Sequence, residues 1–198
     1  MKLLKLRHMI LLAALGLFSH CGDKNKSDDN TELYTTDKSQ IGIEISDEEL
    51  GVKFNPPKDW ELTPSSLSKK IENRNNPGDG FIYEPVYVFF DKVNGSVLSG
   101  GKVNSTDSLV SKSSEINFYK GLLSAKYKNS KMSLHNFVQS GISFTLVRFS
   151  KENLTAHKLF FQNSKQQIVQ LEYSFRKDFA DSVLPAIKAS IGSVRLIN

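Results

Sequence analysis

The sequence predicts an α+β fold, an antiparallel β-sheet flanked by helices, on three observations. Four runs between residues 132 and 175 alternate apolar and polar side chains across short polar turns, the pattern of neighbouring antiparallel strands. Two other stretches, 113–128 and 179–191, repeat their apolar residues at helical spacing. Near the start of the domain, Pro56-Pro57 and Trp60 interrupt a short alternating pair of runs, and proline cannot continue a ladder. With 198 residues, 39% of them hydrophobic and 10% aromatic, the chain suffices for one packed domain.

The leader, residues 1–20, has three parts. MKLLKLRH carries Lys2, Lys5 and Arg7, MILLAALGLF is continuously apolar, and Ser19-His20-Cys21 follows. Ten to twelve apolar residues make a helix of roughly 15–18 Å, short of the ~30 Å hydrocarbon core, so a cleaved signal peptide is expected rather than a membrane span. The junction Leu17-Phe18-Ser19-His20-Cys21-Gly22-Asp23 resembles the lipobox of bacterial lipoproteins. That resemblance implies lipidation of Cys21: a diacylglyceryl group on its sulfur, cleavage just before it, and acylation of the new amino group by a fatty acid such as palmitate. His20 stands where the family usually has Gly, Ala or Ser, as in a permissive, spirochaete-type version. Ordinary cleavage after Gly16, leaving Cys21 as a free thiol, is the alternative. Cys21 is the chain's one cysteine, so no disulfide competes for it. Each buried methylene contributes ~0.8 kcal/mol, and two acyl chains hold a protein stably where one is marginal.

Residues 21–39 are rich in Asp, Lys, Asn, Ser and Thr without an apolar period, and read as a flexible tether of about 20–25 Å average reach. The domain is expected over 40–198. Ile41, Ile43 and Ile45 alternate as a half-buried strand, SDEE turns the chain, and Val52 and Phe54 mark the second strand of a hairpin. Trp60 is expected to anchor the turn in the core, with ligand stacking as its other role. A short helix is predicted over 65–74, then a buried strand over 81–91 with a bulge or entry at Pro85, then a turn and a weak strand or exposed loop over 94–106. In the helix over 113–128, Ile116, Tyr119, Leu122, Leu123 and Tyr127 share a face, and Ser113-Ser114 offers the cap. The four-stranded meander comprises 132–139, 142–150, 155–162 and 167–175. The last helix carries Val183, Leu184, Ile187 and Ile191, with Asp181 or Ser182 as cap so that Pro185 falls in the first turn, where proline costs little.

GVKFNPPKDWEL, the meander after VQSGISF, and LEYSFRKDFADSVLPAIKASIGSV together resemble the PsbP-like α/β/α sandwich over residues 40–198. The resemblance implies a small accessory or binding domain with no shared catalytic constellation, and so supplies no active-site residues.

The residues themselves offer little competing chemistry. His135 and His157 fall in separate strands without metal-ligand spacing, so no metal and no cofactor are expected. No GxSxG elbow is present. Gly95–Lys102 echoes a phosphate loop but has Gly101 where the motif needs Lys, and reads as a polar hairpin loop. Asp47-Glu48-Glu49 reads as solvated turn residues, and Lys69, Lys70, Lys126, Lys128 and Lys131 as surface charges that could meet an anionic partner. The net charge of +5, less the three charges of Lys2, Lys5 and Arg7, leaves +2, too mild to imply nucleic acid. The expected protein is a non-enzymatic, lipid-anchored lipoprotein of the bacterial cell envelope, on the inner or outer membrane or the cell surface. It would serve a protein partner as a binding or accessory module. A surface adhesin for host or matrix molecules is one alternative; a small-ligand carrier or an enzyme with an unrecognised site is another.

Overall fold

The computed structural model describes residues 34–63, 80–106, 111–128 and 130–197. Ten strands and two helices follow in order: β1 (Ile45–Asp47), β2 (Val52–Phe54), β3 (Glu61–Leu62), β4 (Phe81–Phe90), β5 (Val97–Ser105), α1 (Lys112–Lys126), β6 (Lys131–Gln139), β7 (Ile142–Lys151), β8 (Leu154–Gln162), β9 (Ile168–Arg176), α2 (Ala180–Gly192) and β10 (Arg195–Leu196). A seven-stranded sheet runs β3-β4-β5-β9-β8-β7-β6, and a three-stranded sheet runs β1-β2-β10. Every pairing is antiparallel. This is the predicted α+β class, with the meander placed as expected. The predicted helix over 65–74 lies outside the described residues.

Because strand side chains alternate between faces, the large sheet supplies two cores. On one face Leu98, Leu146, Leu159, Phe161, Leu171 and Tyr173 pack with Val183, Ile187 and Ile191 of α2 and with Leu50, Val52 and Phe54 of the small sheet. On the other, Tyr83, Val103, Val147, Phe160 and Ile168 pack with Tyr119 and Leu123 of α1. The middle strands are therefore buried on both faces; β9 is buried from Ile168 to Phe175.

Several local expectations are corrected. Ile43 is 87% exposed and precedes β1: the segment before Ile45 makes only an isolated bridge, Ile41 to Pro57. The stretch 94–106 contains β5, which is no loop but a central strand between β4 and β9. Its Ser and Gly residues hide the period because they sit where the sheet leaves little space. A Cβ on Gly101 would collide with the backbone oxygen of Glu84 and lie 2.8 Å from Pro85 Cα, beside the register shift between Pro85 and Tyr87. The bulge expected at Pro85 is thus present, and Gly101 accommodates it. The cap of α1 is Ser111, whose carbonyl accepts the N–H groups of Ser114 and Glu115 at 2.8 and 3.1 Å, so Ser113 and Ser114 lie inside the helix. A 3-10 turn, Lys177–Phe179, leads straight into α2, which makes Phe179 the cap. Pro185 consequently lies in the helix interior, and the Asp181 carbonyl loses the N–H that proline lacks.

Gly101→Ala should destabilise the fold by about 1–3 kcal/mol through overpacking. Gly100→Ala, whose Cβ would meet side chains alone, a Leu171 methyl carbon at 3.0 Å and Phe54 Cζ at 3.9 Å, should cost less. Urea denaturation midpoints compare the two.

Candidate functional site

Two buried arrangements set what the domain can do. The first lies on the α1 face of the sheet, where the alternation of β8 and β9 presents Lys158, Gln170 and Glu172 beneath α1. Their positions are fixed by register, Lys158 opposite Glu172 and Phe160 opposite Gln170. The Lys158 ammonium donates to the Glu172 carboxylate, with the two side chains 1% and 3% exposed. Tyr119 reaches down from α1 to donate to Gln170 Oε1. Tyr83 and Ser99 hydroxyls are hydrogen-bonded at 2.6 Å. Burial, with the Glu172 charge in support, pushes both phenols well above their usual range. The Gln170 amide nitrogen is buried without a partner. Lys158 and Glu172 serve each other, and such a pair is a register device more than a source of stability: a one-residue slip of β8 would turn Lys158 to the other face and leave Glu172 unpaired.

The second arrangement is a clamp on residues 34–36. The Tyr34 ring stacks on Phe137 at 4.8 Å between centroids, its hydroxyl accepts from Arg148 at 2.8 Å, and burial raises its phenol to about 12. Gln139 Nε2 donates to the carbonyls of Tyr34 and Gly192 at 2.9 and 3.1 Å. Thr36 Oγ1 donates to that Gly192 carbonyl at 2.9 Å. Gly192 is required by this approach, since a Cβ there would stand 2.5 Å from the Tyr34 oxygen. The described end of the stretch read as a tether is therefore packed on the domain, held by β6, β7 and the end of α2. The sequence does carry a signal for it: Tyr34 is the one aromatic residue in the polar run 22–39.

The structure disperses most of the residues singled out in the sequence. Cys21, Lys69 and Lys70 lie outside the described residues. Trp60 is buried in the α2-side core. His135 is exposed on β6, whereas His157 is buried on β8, edge-on to Phe175 at 5.3 Å. Gly95–Lys102 enters β5, and Lys102 pairs with Glu49 at 2.5 Å. Asp47 is no solvated turn residue: it accepts from the Leu50 N–H and the Tyr87 hydroxyl, both at 2.7 Å, closing the hairpin. Lys131 joins Arg148 and Lys177 along a cleft of about 430 Å³, a cationic grouping invisible in sequence spacing; Lys126 and Lys128 do not line it. A second cleft, of about 500 Å³, opens between α1 and the β6–β7 hairpin and is lined by Ile116, Lys120, Asn136 and Val138 among others. Among the described residues no three metal-ligating side chains cluster, and no helix is long and apolar enough to cross a membrane.

No family model and no curated protein matches the chain. Among solved structures it is similar to cyanobacterial PsbP (CyanoP) from Synechocystis sp. PCC 6803, at 12% identity over 79% of this chain and 93% of that one, with a TM-score of 0.47. It is likewise similar to LpqN, described as involved in cell envelope biogenesis of Mycobacterium tuberculosis, at 17% identity over 73% and 82%, with a TM-score of 0.48. The first bears the name of the family that the element order resembles; neither likeness bears on the two arrangements above.

Burial, reinforced by the charges of Arg148 and Lys188, lowers the His157 imidazole from 6.5 to about 3. The fold thus keeps it neutral while the unfolded chain takes up a proton below 6.5. Stability from this group is full above 6.5 and is lost as pH falls towards 3, by about 2 kcal/mol at pH 5. His157→Gln should flatten that part of the slope, measured by urea denaturation from pH 7 to 5.

Proposed function

We propose that the protein is a bacterial lipoprotein held on a cell-envelope membrane through acylated Cys21. Its α+β domain is a non-enzymatic binding or accessory module for a protein partner. The observation that carries this reading is the order of features: a basic and apolar leader, Cys21, a polar run, and then a domain that clamps the chain at Tyr34. The clamp at Tyr34 gives the chain a fixed point of entry into the domain, beside β6 and the end of α2. The buried Lys158–Glu172 pair supports a scaffold more than a reaction centre, because both groups are sealed against each other.

The cationic cleft of Lys131, Arg148 and Lys177 favours one second reading, a surface adhesin that takes an anionic host or matrix polymer. For that role the domain would have to face outward, and shaving intact cells with protease distinguishes the two.

Mass analysis of the mature N-terminus tests the anchor. The expected first residue is Cys21 carrying diacylglyceryl and amide-linked acyl groups, and Cys21→Ala should move the protein from the membrane to the soluble fraction. A chain beginning at Leu17 with a free Cys21 thiol would overturn the reading.

A further inference from the structure

The two edges of the large sheet are treated differently. At one edge β4 carries the Pro85 bulge and is partly covered by the short β3, devices that discourage further pairing. At the other edge β6 pairs with β7 over nine consecutive residues with no register shift, and contains no proline. Among the described residues nothing pairs with its outer side. Its side chains towards that edge include Val138, 72% exposed, and Leu134, 36% exposed.

Backbone parity tells which groups are free. Ser140 and Gly141 both have positive φ, 52° and 76°, a two-residue turn of the primed type. Such a turn closes on a hydrogen-bonded pair, here Gln139 with Ile142. Hydrogen-bonded and open pairs then alternate along the ladder, so Gln139, Phe137, His135, Ser133 and Lys131 bond to β7. Met132, Leu134, Asn136 and Val138 direct their N–H and C=O groups outward. These four are symmetric about His135.

We propose that β6 pairs antiparallel with β6 of a second copy about a twofold axis at His135, joining two seven-stranded sheets into one. In that register Leu134 faces the partner's Asn136, and Met132 faces the partner's Val138. All four outward residues on each chain then find hydrogen-bonding partners. The apolar side chains of Met132 and Val138 cover each other on the α1 side, which removes the exposure of Val138. Lys131 falls opposite the partner's Gln139, so no lysine opposes a lysine along the strand, and like charges directly opposite would disfavour pairing. The same surface is self-complementary in backbone parity and in apolar pairing, as a twofold interface requires. The inference is independent of how Cys21 is processed.

Cross-linking of cysteine variants tests it in cells that express the full chain. At an open antiparallel pair the Cα atoms stand about 4.5 Å apart, within disulfide range. His135→Cys should therefore give a band of twice the monomer mass on a non-reducing gel after mild oxidation. Lys131→Cys, also exposed on the same strand, would lie about 26 Å from its counterpart and should give at least tenfold less. The unsubstituted chain reads any link made through Cys21. Equal yields from the two variants, no band from either, or a band in which His135→Cys is joined to a different protein would each overturn the proposal.

Discussion

The cross-strand pair between Lys158 and Glu172 lies at the middle of a sheet that is covered on both sides, and most of the structure follows from that double cover. Because β8 and β9 are buried on the α2 face by leucines and aromatics and on the α1 face by Tyr119 and Leu123, a charge on either strand needs a partner within the sheet. Register supplies it, Lys158 opposite Glu172. The flanking polar groups are paired too, Tyr83 with Ser99 across two strands, Tyr119 of α1 with Gln170, and Tyr173 with Ser190 of α2 at 2.9 Å. An unmatched charge in such a place costs several kcal/mol, so the pair selects one register among those the hydrophobic pattern alone would allow.

The same double cover explains the edges and the entry of the chain. The small sheet β1-β2-β10 and α2 occupy one face, leaving Phe137 near the β6 edge to be covered by something else, and Tyr34 covers it. The segment nearest the leader is thereby part of the fold. The far edge of the large sheet is blunted by the Pro85 bulge while the β6 edge remains regular, and the clamped segment lies against that regular edge strand.

How much of this was legible in the sequence depended on burial. The meander could be read because β6 and β7 face solvent in part and keep an alternating pattern, and α1 because one face of it is apolar. β5 could be read only as a weak strand or an exposed loop. Buried on both faces and crowded by the Pro85 bulge, it uses Ser99, Gly100 and Gly101 where an alternating strand would use larger residues, and small polar residues look like a loop. The start of α2 was displaced because a 3-10 turn at Lys177–Phe179, tied to the β7–β8 turn by the Lys177 N–H donating to the Asn153 carbonyl at 2.9 Å, leads straight into the helix. Tyr34 was missed because a single aromatic in a polar tract has no period, and its partners Phe137, Arg148 and Gln139 lie more than a hundred residues away in sequence. The grouping of Lys131, Arg148 and Lys177 arises from the pairing of β6 with β7 and from the 3-10 turn that follows β9, and the second cleft from the packing of α1 beside the β6–β7 hairpin.

A double-mutant cycle on Lys158 and Glu172, read by urea denaturation, tests most directly whether the dry centre of the sheet depends on their pairing. Lys158→Met and Glu172→Leu should each cost about 3–5 kcal/mol alone, because each strands a buried charge, while the double variant should recover most of that loss. Additive costs, with the double variant as unstable as the two single losses combined, would contradict the central role given to the pair.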